Sequence, residues 1–236
     1  MVTVGIIGFG SFGKFLAEKL SSYAKVVVYS PSGTLSSWSV SLKEVAQADY
    51  LIPAIPLDSY RGVLDSLKPF LNPKTVIVDV CSVKILPIDI IKEYLPNQPV
   101  VATHPMFGPE SANNGVAGHT IILCKEVSDI IGYEVIKKFA QKINLKIIEM
   151  SCEEHDKEIA VVQGLTFFVA RTLKTIGMHN QKLHTPSFQR LLNIVELEQH
   201  HSQQLFETIQ LGNPFAESVR NDFVKTAENI NKNLKD

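Results

Sequence analysis

The run Val4-Gly5-Ile6-Ile7-Gly8-Phe9-Gly10-Ser11-Phe12-Gly13 decides the fold. Its apolar first half reads as a strand, Val2–Ile7, and an amphipathic stretch, Ser11–Ser22, follows at once. Gly8, Gly10 and Gly13 fall where a strand-to-helix turn needs them. Gly8 permits the tight turn, Gly10 lets backbone approach a pyrophosphate, and Gly13 lets the helix sit close to the strand. The helix N-terminus adds free N–H groups and a partial positive charge that suit an anion. Phe9, Ser11 and Phe12 complete the turn, so Gly8 to Gly13 is the expected dinucleotide-binding segment.

Outward from this turn, short apolar runs alternate with helical stretches, the pattern of a parallel sheet covered by helices on both faces. Strands are expected at Val2–Ile7, Lys25–Tyr29, Tyr50–Ala54, Thr75–Val78, Val100–Thr103, His119–Cys124 and Leu145–Glu149. Helices are expected at Ser11–Ser22, Ser41–Ala46, Leu57–Leu67, Lys84–Tyr94 and Asp129–Lys142. Together they predict an α/β Rossmann dinucleotide-binding domain over residues 1–150. Near Met150 the β-branched runs give way to helical spacing with few glycines. A smaller all-helical domain is expected over 151–236, with helices at Cys152–Ile176, Ser187–Gln210 and Pro214–Leu234, the first capped by Ser151 and the third by Asn213. Apolar stripes without a closed bundle of their own point to a homodimer made through these helices.

The chain of 236 residues is 45% hydrophobic and 20% charged, a globular composition. Its net charge of -1, with no basic block, speaks against a nucleic-acid partner, and no apolar run approaches a membrane span. Cys81, Cys124 and Cys152 match no zinc spacing and fit reduced thiols, and the N-terminus has no basic, cleavable leader; a cytoplasmic protein without metal is expected.

An acid at the end of the second strand would bind the ribose 2′-hydroxyl and repel a 2′-phosphate. The sequence there is Tyr29-Ser30-Pro31-Ser32-Gly33-Thr34, with no acid. The hydroxyls of Ser30, Ser32 and Thr34 suit a 2′-phosphate, so NADP is preferred and NAD is the alternative. Two further segments follow predicted strands: Asp79-Val80-Cys81-Ser82-Val83-Lys84, and Thr103-His104-Pro105-Met106-Phe107-Gly108-Pro109-Glu110-Ser111. Ligands in such sheets lie beyond the carboxyl ends of the strands, so Ser82 and His104 are expected to face one nicotinamide ring. Lys84 either attracts a substrate carboxylate or, the preferred reading, is solvated.

These segments, with Met150-Ser151-Cys152-Glu153-Glu154-His155-Asp156-Lys157, resemble the prephenate/arogenate dehydrogenase family, in its plant-type arogenate flavour. The resemblance implies a nicotinamide-binding domain, a helical dimerisation domain and an oxidative decarboxylation in tyrosine biosynthesis. It makes His104 the base or hydrogen-bond partner of the ring hydroxyl, and Ser82 the residue that orients His104 and the substrate. It places Gln163 at a position that relatives also fill with glutamine, and Phe167 where many have a second pocket histidine. It puts Leu197 where many prephenate enzymes have a carboxylate-binding arginine, which favours arogenate over prephenate. Two rival readings remain: a dehydrogenase of another small carboxylic acid, and a non-catalytic dinucleotide-binding dimer. His155 and Asp156 are expected to cap or join the first helix of the second domain, His200 and His201 to lie on a solvated face, and the Phe167-Phe168-Val169 run to serve the core or a dimer seam.

Overall fold

A computed structural model describes residues 1–125, 129–199 and 201–234, without the side chains of Leu197 and Gln199. Two compact units divide the chain, Met1–Glu153 and Glu154–Asp236.

The first unit is built on strands β1 (Thr3–Ile7), β2 (Lys25–Tyr29), β3 (Tyr50–Pro53), β4 (Val76–Asp79), β5 (Val100–Pro105), β6 (Thr120–Cys124) and β7 (Lys146–Met150). Between them run α1 (Ser11–Leu20), α2 (Leu42–Val45), α3 (Tyr60–Leu67), α4 (Ile85–Tyr94) and α5 (Ile130–Lys142). The helix expected to start at Leu57 begins with a 3-10 turn, Leu57–Ser59, before α3. The sheet order is β2-β1-β3-β4-β5-β6-β7. The chain reverses its direction of travel across the sheet at β1, the switch point beside which this class of fold binds ligands.

Burial on both faces explains why the central strands read as unbroken apolar runs. Ile7, Leu51 and Ile77 pack on one side with Leu64, Ile90 and Ile91. Val4, Ile6, Val28 and Val78 pack on the other with Ala17 of α1. Side chains such as Ile6, Ile7, Leu51 and Ile77 are fully enclosed, and each contributes about 1.5–3 kcal/mol relative to exposure.

One expectation of a parallel sheet is corrected. Strand β6 runs antiparallel to β5, with His104 opposite Ile122. A parallel neighbour needs a crossover, usually a helix, and residues 106–119 form turns instead. Strand β5 also extends through Pro105, so His104 is a strand residue and not part of the loop beyond it.

The second unit begins inside α6 (Cys152–Ile159), which passes through a π-helical turn, Ala160–Leu165, into α7 (Thr166–Thr175). The stretch expected as one helix over Ser187–Gln210 is two, α8 (Pro186–Gln199) and α9 (Gln203–Gly212). Ser202 starts α9 by accepting a bond from the Leu205 N–H at 3.1 Å. The last helix, α10 (Ala216–Asn233), begins later than expected. Asn213 ends α9 and Phe215 is the N-cap of α10; the Asn213 side chain accepts from the Phe215 N–H and donates to the Asp156 carbonyl in α6. His155 and Asp156 join α6 as residues inside it, both fully buried, with His155 Nδ1 2.8 Å from Asp156 Oδ1. Among the described residues no helix is long and apolar enough to cross a membrane.

Candidate active site

The glycine turn has the backbone that its sequence requires. Gly8 has a φ of 102°, in the region that side chains rarely adopt, and a Cβ there would meet the Ala54 carbonyl oxygen at 2.3 Å. A Cβ on Gly13 would meet the Gly8 carbonyl oxygen at 2.2 Å, so α1 packs directly on the turn. Gly10 faces open space, with nothing within 4 Å of a Cβ. Strands β1 and β2 meet the turn through the Gly8 N–H, which donates to the Tyr29 carbonyl at 2.8 Å. No side chain caps α1 and no acid stands in its first turn, so its N-terminal N–H groups suit the pyrophosphate of a dinucleotide. Phe9 lies edge-on to Trp38 at 6.2 Å, Ser11 opens α1, and Phe12 stacks on Phe15 at 6.1 Å. Phe15 in turn meets Phe107 at 6.3 Å, which ties α1 to the segment after His104.

After β2 the three expected hydroxyls come together. Ser30 Oγ lies 3.0 Å from Ser32 Oγ, which lies 3.2 Å from Thr34 Oγ1. The Gly33 N–H closes the turn on the Ser30 carbonyl at 3.0 Å, and Gly33 takes a φ of 78°.

Ser82 follows β4 and His104 lies in β5, neighbouring parallel strands whose paired register ends at Asp79 and Ala102. His104 is 3% exposed, and Ser82 is half-buried three residues beyond β4. Lys84, expected in solvent, is fully buried. Its ammonium donates to the Asp79 carboxylate and, at 2.6 Å, to the Thr103 carbonyl. An enclosed ammonium needs such partners, because its desolvation costs several kcal/mol. Burial is the largest influence and opposes the charge, but the Asp79 charge and hydrogen bond together with the Cys81 and Cys124 thiols outweigh it, and the Lys84 pKa rises above its ordinary value. Asp79 also accepts from the Tyr60 hydroxyl at 3.2 Å and the Cys81 N–H at 3.1 Å, while Thr103 Oγ1 donates to the Asp79 carbonyl at 2.8 Å. Burial first, then the Asp79 charge, pushes the Cys81 thiol up to about 12.

In the helical unit, Gln163 sits in the π-helical turn, and its Oε1 is buried with no hydrogen-bond partner among the described residues. Phe167 is buried and stacks at 4.1 Å on His201. His201 is therefore half-buried and not part of a solvated face; it reaches the Glu198 carboxylate at 3.4 Å, which Arg171 also holds. His200 and the side chain of Leu197 lie outside the described residues.

Sequence reading passed over Asp79, Tyr60 and Thr103 as members of this centre. A signal was present: Asp79 ends an otherwise apolar strand, where an acid must find a buried partner. Among the described residues no cluster of His, Cys, Asp and Glu could hold a metal.

Residues 34–149 match the family model described as prephenate dehydrogenase, nucleotide-binding domain. The chain is 29% identical to the chloroplastic arogenate dehydrogenase 2 of Arabidopsis thaliana, over 98% of this chain and 69% of that relative. It is 32% identical to arogenate dehydrogenase 1 of the same plant, over 90% of this chain and 36% of that longer relative. The crystal structure of prephenate dehydrogenase from A. aeolicus with hydroxyphenyl propionate and NAD+ shares the fold, with a TM-score of 0.77 at 22% identity, over 98% of this chain and 90% of that one. By its sequence likeness and sheet, the chain carries the nucleotide-binding domain of the prephenate dehydrogenase family and is similar over most of its length to arogenate dehydrogenases.

Proposed function

We propose that this chain is an NADP-preferring dehydrogenase that oxidatively decarboxylates arogenate. The observation that carries the reading is the placement of Ser82 and His104 at the carboxyl ends of adjacent strands, in the unit that holds the glycine turn. Bound NADP+ supplies the hydride acceptor for the ring carbon that carries the hydroxyl. The His104 imidazole, in its neutral form, takes the hydroxyl proton. Ser82 holds His104 and the hydroxyl in line, and the ring becomes aromatic as the ring carboxylate leaves as CO2. The imidazolium then returns its proton to the phenolate oxygen, which balances the reaction.

Gln163 Oε1, a buried acceptor without a partner among the described residues, has the chemistry to accept from an ammonium such as that of arogenate. The burial of Lys84 against Asp79 supports a structural role for it over a substrate contact. The Ser30, Ser32 and Thr34 hydroxyls hold the 2′-phosphate. The purified chain is expected to reduce NADP+ faster with arogenate than with prephenate, as followed by absorbance of the reduced cofactor. Ser32→Asp is expected to lower kcat/KM for NADP+ at least tenfold while sparing NAD+. An unchanged ratio in that variant removes the phosphate assignment. Tight NADP+ binding without turnover of either cyclohexadiene removes the proposed reaction. A second reading, action on another small carboxylic acid, is favoured by the apolar Phe167 in the helical unit.

The helical unit leaves Val162, Ile176, Leu211 and Ile230 more than half exposed. Apolar side chains of this number on one small unit suit a second copy of the chain. Sedimentation equilibrium is expected to give twice the chain mass of 26.2 kDa, and a monomer at micromolar concentration overturns the dimer. Three free thiols, two of them buried, suit the reducing cytoplasm.

A further inference from the structure

We infer that Lys84 is a positioning residue, whose buried ammonium ties the Ser82 turn to the peptide bond that carries His104 and fixes the spacing of the two. The inference rests on the reading of Ser82 and His104 proposed above. Backbone pairing between β4 and β5 stops at Asp79 and Ala102. Both residues of interest lie beyond that point, where side chains take over from the ladder. Lys84 Nζ reaches the carboxylate of Asp79, which begins the turn, and the Thr103 carbonyl, which is bonded directly to the nitrogen of His104. Thr103 Oγ1 makes the reciprocal tie to the Asp79 carbonyl at 2.8 Å. The Cys81 N–H and the Tyr60 hydroxyl hold the Asp79 carboxylate from the other sides, at 3.1 and 3.2 Å. Lys84, Asp79, Tyr60 and Thr103 are each at most 1% exposed, so this brace is shielded from water. Such a brace acts on geometry: a shift of about 1 Å between base and reacting group can cost on the order of a hundredfold in rate.

The test separates positioning from plain stability and from substrate binding. Lys84→Met alone strands the Asp79 charge, so the main variant is Asp79→Asn with Lys84→Met, which removes both charges together. Thr103→Val is the milder companion, cutting one tie and keeping the volume. In the double variant the NADP+ dissociation constant and the melting temperature are expected to stay close to those of the unchanged protein, while kcat falls at least tenfold and KM for arogenate changes less than threefold. Thr103→Val is expected to lower kcat severalfold in the same pattern. Unchanged kcat in either folded variant overturns the inference. A rise in KM at unchanged kcat also overturns it, because Lys84 would then be holding substrate. The same substitutions in a His104→Asn background are expected to lose their effect on the residual rate. If His104→Asn alone keeps full turnover, the reading of His104 as base fails. If His104→Asn is inactive and the Lys84 variant keeps the parent kcat, the positioning role fails.

Discussion

Replacing His104 with alanine is expected to lower kcat by roughly a hundredfold to ten-thousandfold, the usual contribution of a positioned general base. NADP+ affinity should change little, because the pyrophosphate and 2′-phosphate contacts assigned to the glycine turn and the Ser30–Thr34 turn are untouched. His104 is almost fully enclosed in β5, so alanine also leaves a void, and His104→Asn serves as the better-filled control. Both variants should show the same loss in kcat, with asparagine closer to the parent in thermal stability. Stopped-flow turnover together with a cofactor titration measures the two effects separately. A kcat within threefold of the parent in both variants would falsify the assignment of the base.

Gly10 and Gly13 are expected to fail in opposite ways. Gly10→Val adds a side chain where nothing stands within 4 Å of its first atom. The fold should therefore melt at nearly the same temperature, while dinucleotide affinity drops by more than a factor of ten because the new side chain fills the space of the pyrophosphate. Gly13→Ala places its methyl 2.2 Å from the Gly8 carbonyl oxygen, a backbone atom that cannot swing away. Overpacking of this kind costs about 1–3 kcal/mol, which for a chain of this size lowers the melting temperature by about 2–4 °C per kcal/mol. Calorimetry with and without NADP+ reads both. A Gly10 variant that loses stability but keeps affinity contradicts the assignment of the turn.

Much of the first unit was legible because burial on both faces writes its strands as apolar runs. Ile6 and Ile7 face opposite cores, so no polar residue interrupts β1. The direction of β6 was not legible, since period-two patterning is the same for either orientation, and only the helix-free connection after Pro105 reveals it. Lys84 misled for a related reason. A lysine at the start of a helix reads as solvated until its strand-end partner Asp79 and the Thr103 carbonyl are seen beside it. In the second unit, apolar spacing runs on from α8 into α9, so the break was hidden, although Ser202 is a capping residue type. The glycine turn, by contrast, keeps its chemistry within six residues, which is why Gly8, Gly10 and Gly13 could be read without tertiary knowledge.

The π-helical turn Ala160–Leu165 works as a phase-setting insertion. Each residue of an ordinary helix advances the direction of the side chains by about 100°, so one residue more or fewer in this stretch would rotate all of α7 about its axis. Phe167 would leave the ring of His201, and Arg171 would leave Glu198. Length in this stretch thus carries a constraint of its own: a single exchange acts at one side chain, whereas a one-residue deletion would re-aim every side chain of α7 at once.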